Sequence, residues 1–258
     1  MAESWRLWID GTPRPGWANM AIDQTMLDRA EHSGERWLRL YGWDPHCLSF
    51  GRHEPAARRY DRARVEALGL DVVRRPTGGR AVWHGREVTY ALAAPSVELG
   101  TVRESYIEIH RMLLGALQRL GVGARLAPTG RVVGVDGGAC FASPAGGEIM
   151  VGGRKAAGSA QLRRGRALLQ HGSILLDGDQ AMVRAVTRGT PPPDLAGSLA
   201  SLLSVPPSAE QLVEAIADAA VERWGGHWER EPSGGEALVD SADRHAAQFR
   251  SDAWTWSS

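Results

Sequence analysis

The order of strand-like and helix-like segments constrains the fold of this 258-residue chain more than any other feature. Short alternating or β-branched runs follow one another through glycine-rich turns, and amphipathic helical patterns fall between them at irregular intervals. A doubly wound parallel sheet would need regular alternation of strand and helix. We therefore predict an α+β fold with a mixed, largely antiparallel sheet flanked by helices.

Several segments carry start and stop signals of their own. The run "PGWANMAIDQTMLDRAEHSG" predicts a helix capped by Asn19 and ended by Gly34. The run "EIMVGGRKAAGSAQLRRGRALLQHGSILL" predicts three strands joined by tight turns. After Asp177 the composition changes to proline-rich and helical patterns, among them a capped helix in "SAEQLVEAIADAAVERWG". We expect one domain over 1–258, with a helical segment at about 179–258.

Composition excludes several functional classes. The chain has 30 basic and 30 acidic side chains, so no bulk charge attracts nucleic acid or an anionic membrane. No run of about 18 apolar residues predicts a membrane span. Two cysteines cannot form a disulfide framework, and "MAESWRLWID" does not resemble a signal peptide. These features predict a cytoplasmic protein with free thiols, which meets any charged partner through a local patch.

Lys155 is the only lysine in the chain, and the other 29 basic residues are arginine. The single asparagine, Asn19, points to a GC-rich genome as the cause of this bias, because Lys and Asn have AT-rich codons. A position that needed only positive charge could have become arginine, whereas a compact ammonium with three donors could not be replaced in this way. Lys155 is therefore a candidate functional residue, and a stray surface lysine is the alternative interpretation.

The segment "RRPTGGRAVWHG" leaves a strand and turns on two glycines. Glycines allow the backbone to approach a ligand, and Arg74, Arg75 and Arg80 could hold a carboxylate or phosphate. The spacing matches neither a nucleotide P-loop nor a dinucleotide fingerprint, so the pattern favours an anionic or acyl ligand. A glycine hairpin with solvated arginines remains the alternative.

Cys140 is the better candidate for a reactive thiol, because it follows two glycines and precedes a Ser-Pro turn. Cys47 lies in "HCLSF", where a small core residue is expected. A nucleophilic thiol needs a nearby cation or base, for which Lys155, His84 and His171 are candidates. An inert thiol at Cys140 and a structural histidine at His171 remain the alternatives.

Two further patterns bear on ligands and partners. No group of His, Cys, Asp and Glu has zinc-site spacing, so we predict no metal. The stretch "QLRRGR", residues 161–166, predicts a solvated hairpin that could receive an acidic carrier protein.

Taken together, "NMAID", "RRPTGGRAVWHGREVTYAL", "CFASP", "GRKAAGSAQ" and "QHGSILLD" resemble the biotin/lipoate protein ligase superfamily. The form "TGGRAV" and the thiol before "FASP" are similar to the single-domain octanoyltransferases of Gram-positive bacteria. ATP-using lipoate ligases usually have Gly-Gly-Gly in that turn. The resemblance runs from about Trp5 to Asp177 and implies the catalytic-domain architecture of that superfamily, which is similar to class II synthetases.

The resemblance also implies an activity. Such enzymes take an octanoyl group from octanoyl-acyl carrier protein onto a cysteine and pass it to the lysine of a lipoyl domain, commonly the glycine cleavage H protein. No nucleotide or other cofactor is needed. The implied catalytic residues are Cys140 as nucleophile and Lys155 beside the reacting carbonyl. The implied substrate-binding residues are Arg75, Thr77, Gly78, Gly79, Arg80, His84, Gly158, Ser159 and His171.

Two other functions stay open at this point. An ATP-dependent lipoate or octanoate ligase would keep the fold and place Lys155 at a phosphate, although the short C-terminal region and the "GGR" turn argue against it. A non-catalytic acyl-binding or carrier-binding protein would keep the pocket without turnover. A biotin ligase fits less well, because the thiol would have no role.

Overall fold

The computed structural model describes residues 4–128, 147–191, 196–230 and 235–257. Its strands are β1 Ser4–Ile9, β2 Arg36–Tyr41, β3 Cys47–Phe50, β4 Asp71–Arg74, β5 Val82–His84, β6 Glu87–Pro95, β7 Ala124–Leu126, β8 Ile149–Val151, β9 Arg154–Lys155, β10 Ala157–Arg164, β11 Ala167–Leu175 and β12 His227–Arg230. Its helices are α1 Gly16–Ser33, α2 Ala56–Arg59, α3 Arg62–Ala67, α4 Val102–Arg119, α5 Ala181–Val186, α6 Leu199–Leu202, α7 Ala209–Trp224, α8 Glu236–Phe249 and α9 Asp252–Thr255, with a 3₁₀ turn at Ser96–Leu99.

The main sheet has six strands in the order β10-β11-β6-β2-β1-β12. The β10–β11, β11–β6 and β6–β2 pairs are antiparallel, and β2–β1 and β1–β12 are parallel. The remaining strands form two three-stranded sheets, in the orders β4-β3-β5 and β7-β8-β9. The predicted α+β class with a mixed, largely antiparallel sheet is confirmed.

Helices cover both faces of the main sheet. Side chains alternate between the faces of a strand, so Leu38 and Leu40 of β2 pack with the apolar side chains of α4 and α7. Trp37 and Tyr41 of the same strand pack with those of α1 and α8. All four side chains are at most 4% exposed, so the sheet is the middle layer of the core.

The ends of the long helices follow local side-chain chemistry in two cases. Thr101 before α4 and Ser208 before α7 each form a capping box with the residue three positions later, which confirms the predicted capped helix at α7. Helix α1 ends at Gly34 in the left-handed region, with φ 69°, as predicted. The predicted Asn19 cap is wrong, because Pro15 stands at the N-cap position and Asn19 lies inside the helix.

The structure explains the buried Asn19 through its tertiary contacts. Its amide donates to the carbonyls of Arg14 and Gly42, both at 3.1 Å, and its side-chain oxygen accepts a 2.7 Å hydrogen bond from Arg39. The side chain is fully buried. The only asparagine of the chain therefore satisfies buried polar groups at the junction of α1 and β2.

Two other predictions differ in detail from the structure. The stretch from Glu148 to Leu175 contains four strands where three were predicted, because Arg154 and Lys155 form the two-residue strand β9. In the described part of the segment at about 179–258, the regular elements are helices α5 to α9 and one strand, β12, which pairs with β1 at the edge of the main sheet. The paired residues of β12 and β1 are 223 positions apart, and a strand whose partner is so distant in the chain has little local signal.

Candidate functional site

A small, partly open cleft lies where β5, β10 and β11 meet α1 and the residues that follow β2. Its lining is largely apolar and consists of Met20, Tyr41, Trp43, Arg75, Val82, His84, Thr89, Gly158, Ser159, Ala160, His171, Gly172 and Ser173. Five of the predicted site residues line it: Arg75, His84, Gly158, Ser159 and His171. The cleft therefore joins the "RRPTGGRAVWHG", "GRKAAGSAQ" and "QHGSILLD" segments, which lie far apart in the sequence.

Arg75 holds one wall of this cleft in place. Its guanidinium is buried and donates to the Ser49 hydroxyl at 2.5 Å and to the carbonyls of Gly78 and Arg80 at 3.1 and 2.8 Å. Gly79 takes φ 89° at the tip of this loop, and its carbonyl lies so close to Gly51 that a Cβ there would be 1.9 Å away. The guanidinium expected to hold an anion is thus used to shape the loop.

Arg74 has a structural role as well. Its side chain is 1% exposed and donates to backbone carbonyls on two segments, those of residues 51, 52 and 54 and those of residues 254, 255 and 257. It therefore ties the C-terminal segment to the loop after β3. The suggestion that Arg74 holds a ligand anion is wrong, because its donors are occupied by the protein's own carbonyls.

His171 joins the Arg75 loop to the main sheet. Its Nδ1 donates to the Asp23 carboxylate at 2.8 Å, and its Nε2 accepts from the Thr77 hydroxyl at 2.6 Å. Burial lowers its pKa, although the Asp23 carboxylate opposes this effect. Asp23 is also bound by Tyr41 and Arg39, so the neutral imidazole lies in a fully hydrogen-bonded buried network.

His84 is fixed in a similar way on β5. Its Nδ1 donates to Glu87 at 2.7 Å, and its Nε2 lies 2.6 Å from the Ser49 hydroxyl. The same hydroxyl accepts a hydrogen bond from Arg75. Its ring stacks on Trp43 with a centroid distance of 4.0 Å. Burial alone would raise the pKa of Glu87, but the His84 imidazole and three hydrogen bonds hold it below its usual value. Because both ring nitrogens of His84 bind the protein, the imidazole is fixed in place and shapes this wall of the cleft.

Ser159 connects the opposite wall to a buried histidine outside the cleft lining. The His110 Nδ1 donates to the Gly147 carbonyl and its Nε2 accepts from the Ser159 hydroxyl, both at 2.7 Å. Tyr90 donates to Ser159 at 2.8 Å and accepts from Gln170 at 2.9 Å. Burial lowers the pKa of His110 to about 4, with the charge of Lys155 adding to the effect. His110 is thus neutral at pH 7 and links the cleft to Gly147.

Lys155 precedes Gly158 of this second wall by three residues in the chain, and its charge acts on His110. Its side chain is 1% exposed and its ammonium donates to the Glu148 carboxylate, which is also buried. The backbone of Lys155 pairs with Met150 on one side, and its carbonyl accepts from Gly197 on the other at 3.0 Å. The single lysine is therefore an ordered, buried cation, and the stray surface lysine considered as the alternative is wrong.

The other predicted residues fall in three places. Thr77, Gly78, Gly79 and Arg80 form the loop held by Arg75, and Thr77 reaches the cleft through His171. Cys47 is fully buried in the core, as expected. Cys140 lies outside the described residues, so its predicted role stays a prediction.

Sequence reasoning missed two groups that the structure brings to the site. Glu148 is the only acidic residue between positions 137 and 176, and it lies in the same hairpin as the only lysine. This isolation of one acid beside one lysine was a sequence signal for the ion pair. His110 carried no signal, because it lies on the buried side of an ordinary amphipathic helix. Its function depends on contacts made across 37 and 49 residues of sequence.

Within residues 4–128, 147–191, 196–230 and 235–257, no group of three or more His, Cys, Asp and Glu side chains could hold a metal ion. Over the same residues no helix has both the length and the apolar character needed to cross a bilayer.

Comparison with known proteins places this site in a family. The family model for the lipoyl protein ligase A/B catalytic domain matches residues 15–221. This chain belongs to that family. An octanoyltransferase LipM from Kyrpidia tusciae is 38% identical over 280 aligned residues, covering 98% of this chain and 99% of the relative. The octanoyltransferase LipM of Symbiobacterium thermophilum is 43% identical over 196 residues, covering 73% of this chain and 71% of the relative.

Solved structures agree on the fold of this lipoyl protein ligase A/B domain. A lipoate-protein ligase A bound with ATP has a TM-score of 0.79 at 20% identity, covering 98% of both chains. A bi-partite lipoate protein ligase from Thermoplasma acidophilum has a TM-score of 0.74 at 18% identity, covering 99% of this chain and 97% of that one. The expected superfamily architecture is confirmed, and the likeness at this identity concerns the fold alone.

Proposed function

We propose that this protein is an octanoyltransferase of lipoate biosynthesis that moves an octanoyl group from an acyl carrier protein to the lysine of a lipoyl domain, through a thioester on Cys140. The family, and the octanoyltransferase relatives that match along most of the chain, support the acyl transfer. The observation that carries the mechanism is that Lys155 is buried, three residues before Gly158 of the largely apolar cleft. The acceptor is a protein such as the glycine cleavage H protein.

The buried ammonium of Lys155 suits acyl transfer for an electrostatic reason. The tetrahedral intermediate of such a transfer carries an oxyanion, and a fixed cation in a water-poor site stabilises it more strongly than in water. Glu148 and the backbone contacts of β9 hold the ammonium in position before substrate arrives. No reorganisation is then needed as negative charge develops.

The cleft suits the acyl chain. Met20, Tyr41, Trp43 and Val82 supply an apolar lining, and each buried methylene contributes about 0.8 kcal/mol to binding. The polar atoms of Arg75, His84 and His171 are already hydrogen-bonded within the protein, so an apolar ligand leaves them satisfied.

The reaction has two half-reactions. In the first, the Cys140 thiolate attacks the thioester carbonyl, a new C–S bond forms, and the carrier thiolate leaves and takes up the proton that Cys140 lost. In the second, the acceptor amine attacks the acyl-enzyme, a C–N bond forms and the C–S bond breaks. One proton of the acceptor ammonium goes to the Cys140 sulfur and one to solvent. The thioester is already activated, so no ATP is consumed.

Intact-protein mass spectrometry tests this proposal. The protein is mixed with octanoyl carrier protein without ATP, and then with a lipoyl domain. We expect one octanoyl mass on the enzyme, which disappears as the lipoyl domain gains it. Cys140→Ser should abolish the adduct.

Cys47→Ala is the matched control, because Cys47 is the only other cysteine and is fully buried. It should keep the adduct. A wild-type protein that stays unmodified by the carrier, and that acylates the lipoyl domain only when ATP and a free fatty acid are supplied, would replace the proposal with an ATP-dependent ligase.

A further inference from the structure

The loop after β3 and the two short helices that follow it carry a local excess of positive charge. Residues 52–64 contain five arginines and two acidic residues, Glu54 and Asp61, in a chain whose total charges cancel. Glu54 is 4% exposed and is bound by the Tyr60 hydroxyl, so it contributes little negative charge at the surface. This segment is therefore a strongly basic part of the chain.

The fold extends this segment into a continuous surface. The Asp61 amide donates to the Val186 carbonyl at 2.8 Å, and the Arg188 amide donates to the Arg59 carbonyl at 2.9 Å. Helix α5 and the turn after it therefore lie against α2 and α3. We call the resulting surface the basic face, and its arginines are Arg52, Arg58, Arg59, Arg62, Arg64, Arg184 and Arg188.

The arginines of the basic face differ in their internal contacts. Arg62 is paired with Glu66 and Asp252. Arg58 and Arg64 are exposed, and neither side chain makes an ion pair or hydrogen bond with any described residue of the chain. Their charges therefore face solvent without compensation from the protein.

The 161–166 hairpin differs from the basic face in how its arginines are paired. The sequence had made this hairpin a possible site for an acidic carrier protein. Arg164 is bound to Asp28 and Glu31, and Arg163 donates to the Gly100 carbonyl and to Ser105. Two of the three arginine charges of the hairpin are therefore used inside the protein, and Arg166 is exposed. The hairpin therefore offers less free positive charge than the basic face does.

The basic face begins one loop away from the cleft. The Arg52 amide donates to the Thr77 carbonyl at 2.8 Å, and the Thr77 hydroxyl donates to His171, which lines the cleft. Arg80 lies on the same loop, and its Nη2 atom is buried without a hydrogen-bond partner among the described residues. A partner seated on the basic face could pass a tethered acyl chain over this loop into the cleft.

We propose that the basic face is the docking surface for the acidic carrier protein that donates the octanoyl group. This inference rests on the proposed function and adds to it the place where the donor binds. Charge complementarity of this kind steers association and fixes orientation, and it weakens as salt screens it.

The test compares two donors on the double variant Arg58→Glu/Arg64→Glu. One donor is octanoyl carrier protein, and the other is octanoyl N-acetylcysteamine, a small uncharged thioester with no carrier. We expect the KM for the carrier to rise about tenfold or more, with loss of the salt dependence seen in the wild type, while rates with the small thioester stay unchanged.

The matched control is Arg103→Glu/Arg166→Glu. These two arginines are exposed, the variant changes net charge by the same amount, and Arg166 lies at the far end of the β10–β11 hairpin. We expect the wild-type KM for the carrier in this variant. An equal rise in the control, an unchanged KM in the basic-face variant, or an equal loss with both donors would overturn the docking proposal.

Two more outcomes separate the docking proposal from the proposed function. If the wild type accepts neither donor, the octanoyl transfer itself fails and the docking surface fails with it. If the basic-face variant keeps its KM for the carrier and raises the KM for the lipoyl domain, transfer stands and the face binds the acceptor, which overturns the docking proposal alone.

Discussion

The two walls of the cleft are built on different principles. The arginine wall, made of Arg75, Thr77, His84 and His171, has polar atoms that bind one another or nearby buried groups. The lysine wall consists of Ser159, which lines the cleft, and of three residues outside the lining, His110, Glu148 and Lys155; it has a buried ion pair and a neutral histidine. The first arrangement preserves a shape, and the second keeps a buried charge in position.

This difference between the two walls indicates which of them takes part in the acyl-transfer chemistry. A closed hydrogen-bond network has no group free to gain or lose a proton without a large penalty. A buried cation with a single charge, held by a carboxylate, is stable only as a pair and interacts strongly with any developing negative charge. We therefore expect substitutions in the lysine wall to affect rate, and substitutions in the arginine wall to affect stability and the fit of the acyl chain.

The largest effect is expected for Lys155→Arg. The charge is kept, but the wider guanidinium does not fit the place of an ammonium that is 1% exposed, so we expect the donor to leave the position that the proposed mechanism gives it beside the reacting carbonyl. The rate of octanoyl transfer should fall about 1000-fold, which corresponds to about 4 kcal/mol. Steady-state kinetics measures this, with circular dichroism as the check on folding. Wild-type rates in this variant would remove Lys155 from the mechanism.

Glu148→Gln should have the next largest effect. It leaves the Lys155 ammonium buried without its carboxylate, and breaking such a pair from one side lowers the free energy of unfolding by about 3 kcal/mol. Urea unfolding at pH 7 measures it. Glu66→Gln is the control, because Glu66 is mostly exposed and its pairing with Arg62 contributes little. Equal stability loss in the two variants would contradict the distinction between buried and exposed pairs.

Stability should also depend on pH through His110. Its pKa falls from 6.5 to about 4 on folding, because burial disfavours the charged imidazole. The unfolded chain therefore binds a proton at a higher pH than the folded chain does, and the free energy of unfolding decreases as pH falls from about 6.5 to 4. Linkage gives a contribution of roughly 3 kcal/mol over that interval.

The measurement is urea unfolding of the wild type and of His110→Gln at several pH values between 7 and 4. The variant should lose much of the slope in this interval. His171, whose pKa is also lowered, contributes a slope of the same sign that remains in the variant. An identical slope in the two proteins would show that His110 titrates normally and would remove it as the neutral link between Ser159 and Gly147.

The smallest effect is expected for Thr77→Val in the arginine wall. It deletes the 2.6 Å hydrogen bond from Thr77 to His171 while keeping the shape of the side chain. The free energy of unfolding should fall by about 1 kcal/mol, and kcat should change less than KM. A large fall in kcat with unchanged KM would place Thr77 at the reacting atoms. It would contradict the assignment of rate effects to the lysine wall alone.

Much of the fold could be predicted from local signals. The capping boxes at Thr101 and Ser208 and the left-handed Gly34 depend on neighbours within a few residues. Strand β12 and the buried role of Asn19 could not be predicted, since their partners lie far away in the chain. Local patterns report propensity, and tertiary contacts can override it.

The candidate site was also predictable only where its residues carry a local sequence pattern. Lys155, His84 and His171 were marked by residue type and by their glycine-rich surroundings. Glu148 and His110 were missed, because a carboxylate or an imidazole in an ordinary strand or helix has no distinctive local pattern. The sequence also made Arg75 one of three candidates to hold an anion, whereas the structure uses its guanidinium on the backbone of its own loop.

By itself, the sequence determined the α+β class, the family and the single lysine as a residue of interest, because these depend on residue type, periodicity and motif. Only the tertiary structure decided that the ammonium of Lys155 is buried against Glu148, and that two histidines near the cleft are locked by hydrogen bonds. Burial and hydrogen bonding depend on which distant segments meet, and these two conditions determine whether a titratable group stabilises a shape or can take part in chemistry.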